Sequence, residues 1–451
     1  MKVLLVSANA ETRPYPVYPL GIDYVAGALA DRHDLAVVDI NDLGHEAELE
    51  NRVRIFSPDV IGVSIRNVDN TDEKTPLSYI DRYQSIIRRI REVTPAPLIL
   101  GGSGFTLFPA QMLASLQADY GIIGEGERFG TFLDVLEQGG DVSRLEGVVL
   151  PGGSPLTATP PPWDGGLKRL FDPANSHVAY YLKKGGMLNL QTKRGCPFRC
   201  IYCTYPNIEG RRLRRYPPRL VAETALKLQD AGAKYLFITD SVFNSDCEHS
   251  REVARSFQKA GLGIPWGAYI APVRPPADYY KILAEAGMTH VEFGTESLSD
   301  TILKNYRKPF RTADIFPAHR AAVEAGLHTA HFFLPGAPAE TPHTLAETLD
   351  NAESLERTVC FFFAGIRIYP NTGLYEMALA SGQITPAQDL LRPCFFRPEG
   401  IGLETINEMI VDRSQGRHNW ILGAGGQDMA KVISRLHARG HAGPLWEHLI
   451  Q

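Results

Sequence analysis

The sequence predicts an α/β protein made of two successive parallel-sheet units. Two observations carry this. Residues 1–150 alternate five short β-rich runs with helical patterns, which predicts a doubly wound parallel sheet of Rossmann or flavodoxin-like type. From Leu188 the same rhythm returns for six more strands, after a stretch rich in Pro and Gly at 151–166 that reads as an extended connector.

In the first unit, strands are expected at 2–7, 35–39, 60–65, 98–101 and 120–124. Helices are expected between and after them at 21–32, 46–56, 79–93, 109–117 and 129–138. The first helix places Ile22, Val25, Ala26 and Leu29 on one face, and Ser57-Pro58 ends the second. The reading of 172–182 stays open between helix and loop. In the second unit, strands fall at 188–192, 235–239, 266–270, 290–293, 329–334 and 362–368. Helices follow at 220–231, 251–260, 277–286, 313–325, 344–355 and 372–383. The remainder, 384–451, holds Trp420, two glycine turns and an amphipathic helix at 428–439, and reads as a small, mainly helical cap over the mouth of the second unit. The resulting division is 1–150, a linker at 151–184, 185–383 and 384–451.

Composition fits a globular protein: 44% hydrophobic and 22% charged residues in 451. A net charge of −5 offers no general cationic field for nucleic acid. One basic run, Arg211-Arg212-Leu213-Arg214-Arg215, reads as a solvated loop face or a local anion clamp. Six cysteines are too few for a disulfide framework. The opening Met1-Lys2-Val3-Leu4-Leu5-Val6 reads as a strand and not a signal peptide. No apolar run reaches the roughly 18 residues of a membrane span. A cytoplasmic, reducing setting is expected.

The chemistry is concentrated in Cys196-Pro197-Phe198-Arg199-Cys200-Ile201-Tyr202-Cys203, just past the first strand of the second unit. Soft thiolates at this spacing suit an iron–sulfur cluster or zinc. A four-iron cluster normally takes four Cys, so three would leave one iron open for chemistry. Structural zinc usually has four protein ligands, and no fourth Cys or His lies near; Cys247 and His249 are far downstream. A structural zinc site or three unrelated cysteines remain the bland alternatives.

Cys196, Cys200 and Cys203, with Tyr202 before the last, resemble the motif of the radical S-adenosylmethionine (SAM) enzymes. The resemblance implies a 4Fe-4S cluster whose open iron chelates SAM, and a partial (β/α)6 TIM-type barrel for the second unit. Functional groups of such barrels gather at the C-terminal strand ends. On that basis Asp240 and Ser241 are expected at the methionine amino group, and Glu296 and Ser297 at the ribose or amino acid part. Pro335, within Leu334-Pro335-Gly336, and Ile368 with Tyr369 are expected beside the adenine, with Tyr202 stacked nearby. Arg307, Lys308 or Arg311 is a candidate for the SAM carboxylate. Asp240 and Glu296 also read as helix or loop caps.

The first unit resembles the cobalamin-binding domain that precedes one large class of these enzymes. The similar elements are Pro19-Leu20-Gly21, the Pro58–Ser64 stretch, the Gly101-Gly102 turn and Gly124-Glu125-Gly126-Glu127. Ligands of open sheets sit outside the carboxyl ends of the strands. Leu20, Gly21, Ser64, Arg66, Asn67, Gly101, Gly102, Ser103, Gly124, Glu125 and Gly126 are therefore the cobalamin-binding candidates. The loop after the first strand has no His, so no His ligand to cobalt is expected; Arg66, Asn67 or Asp69 would stand at the lower face. A flavodoxin-like domain that binds nothing is the alternative.

The two resemblances together imply a cobalamin-dependent radical SAM methyltransferase. In that chemistry one SAM methylates the corrinoid and a second yields a 5′-deoxyadenosyl radical. A substrate carbon loses hydrogen and then takes the methyl group. Ring formation, rearrangement or oxidation with the same cofactors is a second reading, as in the anaerobic chlorophyll-pathway cyclase it also resembles. A non-catalytic corrinoid-binding protein is a third. The implied partners are a small-molecule substrate and a low-potential electron donor of flavodoxin or ferredoxin type.

Overall fold

A computed structural model of the chain describes residues 1–451 except 10, 13, 14, 46, 154–161, 164–167, 424 and 451. Most of the Pro- and Gly-rich connector, and the first residue expected in the helix at 46–56, lie outside the described residues.

The first unit is a six-stranded sheet. Its spatial order is Asp34–Asp39, Lys2–Ser7, Val60–Ser64, Leu98–Gly101, Tyr120–Ile122 and Val148–Val149. Five strands are parallel; Val148–Val149 pairs antiparallel at the edge. Two residues are too few to show a period-2 pattern, so the sequence does not announce that strand. Alternate residues of the first strand feed opposite cores. Leu4 and Val6 pack on one face, Val3 and Leu5 on the other. The order reverses direction between the strands at 2–7 and 60–64, so the crevice for a ligand opens above those two strand ends.

The second unit is a sheet of seven parallel strands in chain order: Met187–Leu190, Tyr235–Ile238, Trp266–Ile270, Met288–Glu296, His328–Phe333, Thr358–Phe362 and Trp420–Leu422. Its two edge strands do not pair with each other, so the barrel is open. Outward residues such as Val291 and Phe293 pack under the helices. The open stretch at 172–182 resolves as the helix Ser176–Lys183.

Two expectations need correction here. The sixth strand is Thr358–Phe362, not 362–368. Gly365 takes a φ of +87° and turns the chain, after which Arg367 bridges antiparallel to Phe395. The apolar run continues past that glycine, which is why the sequence suggests a longer strand. The last part of the C-terminal region also does not cap the mouth. It adds the seventh strand, and then His437 packs against Gly185 and Gly443 against Tyr235, both at the N-terminal ends of barrel strands. Trp446–Leu449 thereby closes the barrel floor.

Candidate active site

The cluster loop is held at its base by a short hairpin. Lys193–Arg194 pairs antiparallel with Arg214–Arg215, where the sequence suggests only a turn. Gly195 follows with a φ of +86°. A Cβ there would lie 2.2 Å from the Arg212 carbonyl oxygen, so only glycine fits. Inside the loop, Cys196 N–H donates to Gly210 (3.1 Å) and Ile201 N–H to Tyr306 (3.2 Å). These bonds fix the loop to the C-terminal end of the barrel.

Cys196, Cys200 and Cys203 are all free thiols. Burial pushes each one up, Cys203 to about 12; neighbouring thiols reinforce the rise at Cys196 and Cys203, and Glu296 reinforces it at Cys200. Such thiols ionise when a metal binds them. No three His, Cys, Asp or Glu side chains among the described residues converge tightly enough for one metal ion. A cube takes each thiolate on a different iron and needs no such convergence, so the spread of the three sulfurs suits a cluster better than zinc.

Beside the cysteines stands a part-buried polar trio. Tyr202 Oη donates to Glu296 Oε1 (2.8 Å), and Lys308 Nζ donates to both, at 3.0 Å to Tyr202 and 2.9 Å to Glu296. Burial opposes the Lys308 charge, but Glu296 and Cys200 outweigh it and raise the ammonium above its ordinary value. Glu296 has a φ of +63° at a register shift in its strand. A carboxylate held in that rarely occupied conformation marks a functional position. The Ser241 hydroxyl is buried and has no partner among the described residues, an orphan that a bound ligand would satisfy. Pro335 is buried at the next strand end, where its carbonyl accepts from Gly365 N–H. Tyr202, Ser241, Glu296 and Lys308 thus fit SAM beside a cluster.

Three SAM candidates do not. Asp240 is 1% exposed and accepts from Thr192 N–H (2.7 Å), Thr192 Oγ1 (2.5 Å) and Lys193 Nζ (2.7 Å). Both its oxygens are committed, so it holds the strand end instead of an ammonium ligand. Ser297 is bonded to Thr348 Oγ1 and caps Ser299 N–H. Ile368 lies in the core with its N–H on Cys394 and its carbonyl on Arg367. Tyr369 faces the larger cavity, stacked with Arg367 and near Phe108.

That cavity, of about 490 Å³, lies between the two units. All eleven cobalamin candidates line it: Leu20, Gly21, Ser64, Arg66, Asn67, Gly101, Gly102, Ser103, Gly124, Glu125 and Gly126. Barrel residues missed in the sequence complete it, among them Asn189, Gln191, Thr204, Tyr205 and Thr239. Their only sequence signal is inward alternation and nearness to Cys203. Asn9 Oδ1, at the same wall, is buried without a partner among the described residues. A large polar-edged ligand therefore fits. Asp69 also lines the cavity, but its carboxylate is paired with Arg367 at 2.9 Å. Arg66 is exposed to the cavity and makes no ion pair or side-chain hydrogen bond among the described residues. Glu125 has a second role: its carboxylate binds Arg194 (2.7 Å) and Arg214 (2.5 Å) across the domain boundary. Arg194 also ion-pairs with Glu127 at 2.7 Å, outside hydrogen-bond geometry. The residue beside the cluster loop is thus clamped to the first domain.

Comparison with known proteins matches this geometry. Residues 190–352 match the Radical SAM superfamily model and residues 6–131 the B12 binding domain model. An uncharacterized methyltransferase of Pyrococcus horikoshii is 26% identical over 84% of this chain and 84% of its own length. The tryptophan 2-C-methyltransferase of Streptomyces laurentii is 24% identical over 82% of this chain and 73% of its own. The fold is that of the radical SAM methyltransferase TsrM from Kitasatospora setae, solved with tryptophan and aza-SAM, at TM-score 0.85 and 21% identity over 99% of this chain and 97% of that one.

Proposed function

We infer from its joined B12 binding and radical SAM domains that this chain is a cobalamin-dependent radical SAM methyltransferase. It acts on an unactivated carbon of a small molecule. The observation that carries this reading is the shared geometry: a three-cysteine loop at the barrel mouth, clamped by Arg194 to a cavity on the strand ends of the B12 domain. When bound, cluster, SAM and cobalamin supply radical and methyl-transfer chemistry.

The chain's own residues bind and orient. Cys196, Cys200 and Cys203 would hold the cluster, and Tyr202, Ser241, Glu296 and Lys308 would hold SAM. The eleven cavity residues, Arg66 and Asn67 among them, would hold cobalamin. Orientation of this kind is the protein's main contribution in cofactor enzymes. Arg199, exposed within the cluster loop, gives an acidic flavodoxin or ferredoxin a place to deliver electrons. No helix among the described residues is long and apolar enough to cross a membrane; a cytoplasmic enzyme is the proposal.

The deciding experiment is anaerobic turnover with methyl-labelled SAM. Label in the product is expected. Product without label would sink methyl transfer and favour ring formation or oxidation. Arg66→Ala should lower cobalt retained after desalting by about tenfold, the worth of a hydrogen bond to a charged group, with unfolding unchanged. Retention equal to wild type would remove Arg66 from the cofactor.

A further inference from the structure

The barrel lumen below the cluster holds a carboxyl group that neither cofactor reading uses. On the fourth barrel strand Val291 and Phe293 pack outward, so Glu292 points inward. It is 4% exposed and accepts one hydrogen bond, from Trp446 Nε1 at 3.0 Å. It has no cation partner among the described residues. Burial without a compensating charge pushes its carboxyl up to about 7. A buried carboxyl of this kind is costly and calls for a positive or N–H-bearing partner.

The surroundings say what that partner carries. Tyr269 sits beside Glu292 in the sheet register and its ring meets Phe237 edge-on at 4.9 Å. Tyr269 is 45% exposed although its strand is central and its other neighbours on that strand are buried. Burial nonetheless pushes its phenol up, reinforced by Glu292 and then Tyr205 and opposed by Arg66, the last two at the cofactor cavity. A ring that is accessible yet enveloped by protein faces an internal chamber. On the next two strands of the sheet, Phe332 and Phe361 stack at 4.9 Å, and Trp446 packs in the same cluster. Tyr15, from the first loop of the B12 domain, feels the same carboxyl. The chamber is therefore aromatic-walled, open toward the cofactors and lined at its floor by a carboxyl with no cation partner among the described residues.

We propose that Glu292 is the specificity-determining residue of the substrate chamber, receiving the protonated amine of a substrate whose body is flat and apolar. The assignment rests on the methyltransferase reading above and names the substrate class for it. The aromatic wall supplies stacking area, and a carboxylate–ammonium bond fixes the end of the molecule. A substrate bearing a carboxylate at that end would meet a like charge and be refused.

Binding, not turnover, tests this, so the result is independent of whether methyl transfer occurs. The reconstituted holoenzyme with SAM is titrated by calorimetry with 2-phenylethylamine and with 3-phenylpropionate. The amine should bind at least about tenfold tighter. In Glu292→Gln, an isosteric change, the preference should vanish while cobalamin and iron–sulfur absorbance stay unaltered. Trp446→Phe, which frees the carboxyl from its one donor, should keep the preference or enlarge it, and guards against a Gln variant that fails to fold. Equal binding of the two probes, binding of neither at millimolar concentration, or an undiminished preference in Glu292→Gln would overturn the assignment.

Discussion

Alanine at any one of Cys196, Cys200 or Cys203 is expected to abolish iron retention and product formation together. The loop offers three thiols and no substitute. Cys247, Cys360 and Cys394 are free but sit on other elements, and no metal-ligand group forms among the described residues to replace a lost ligand. A cluster held by two thiolates would leave a second iron exposed. Metal binding and ligand deprotonation are coupled, so buried thiols raised above their ordinary value make the loss steeper. The protein itself should survive. None of the three cysteines belongs to a hydrophobic core cluster, and the loop is anchored by backbone bonds to Tyr306 and Gly210 that no cysteine side chain makes. The measurement is iron and acid-labile sulfide per chain, alongside methylated product, with far-UV circular dichroism as the fold control. A variant without iron that still formed product would overturn the mechanism at its base.

The same loop shows what a sequence can and cannot disclose. Three cysteines close in the chain carry their own geometry, because a short loop leaves few ways to arrange them. The strand ends of the first domain were legible for a similar reason: glycine and serine at the end of each apolar run mark where a parallel strand must turn. Pairing across the fold is different. Nothing local to Asp240 announces that Lys193 and Thr192, on a neighbouring strand, take up both its oxygens. Ser297 is likewise occupied by Thr348, a helix away. Glu125 was expected at a ligand and also anchors two arginines of the other domain. Glu292 gave no sequence signal, since an inward carboxylate on a strand looks like any polar residue in an alternating pattern. The strand at 420–422 is three residues long and pairs only because the sheet edge is there to receive it.

Asp240→Ala should destabilise the second domain by about 3–5 kcal/mol, the usual cost of leaving a buried charge without its partner. Lys193 and Asp240 are each 1% exposed and 2.7 Å apart. Removing the carboxylate strands an ammonium whose remaining acceptor is the Phe243 carbonyl oxygen at 2.7 Å. Thr192 N–H and its hydroxyl lose their acceptor as well. Because Thr192 and Lys193 lead directly into Gly195 and Cys196, the loosened strand end should also lower cluster loading. Denaturant unfolding followed by tryptophan fluorescence measures the first effect, and iron content the second. A double variant separates positioning from ligand binding. Lys193→Met with Asp240→Leu removes both charges and keeps the volume apolar, a replacement that is often neutral for buried pairs. If Asp240 only positions the loop, the double variant regains most of the stability and binds SAM within about twofold of wild type, because a twofold change is well under one hydrogen bond. If it regains stability and still fails to bind SAM, the carboxylate contacts SAM after all, and the saturated geometry around Asp240 must open when the cofactor arrives.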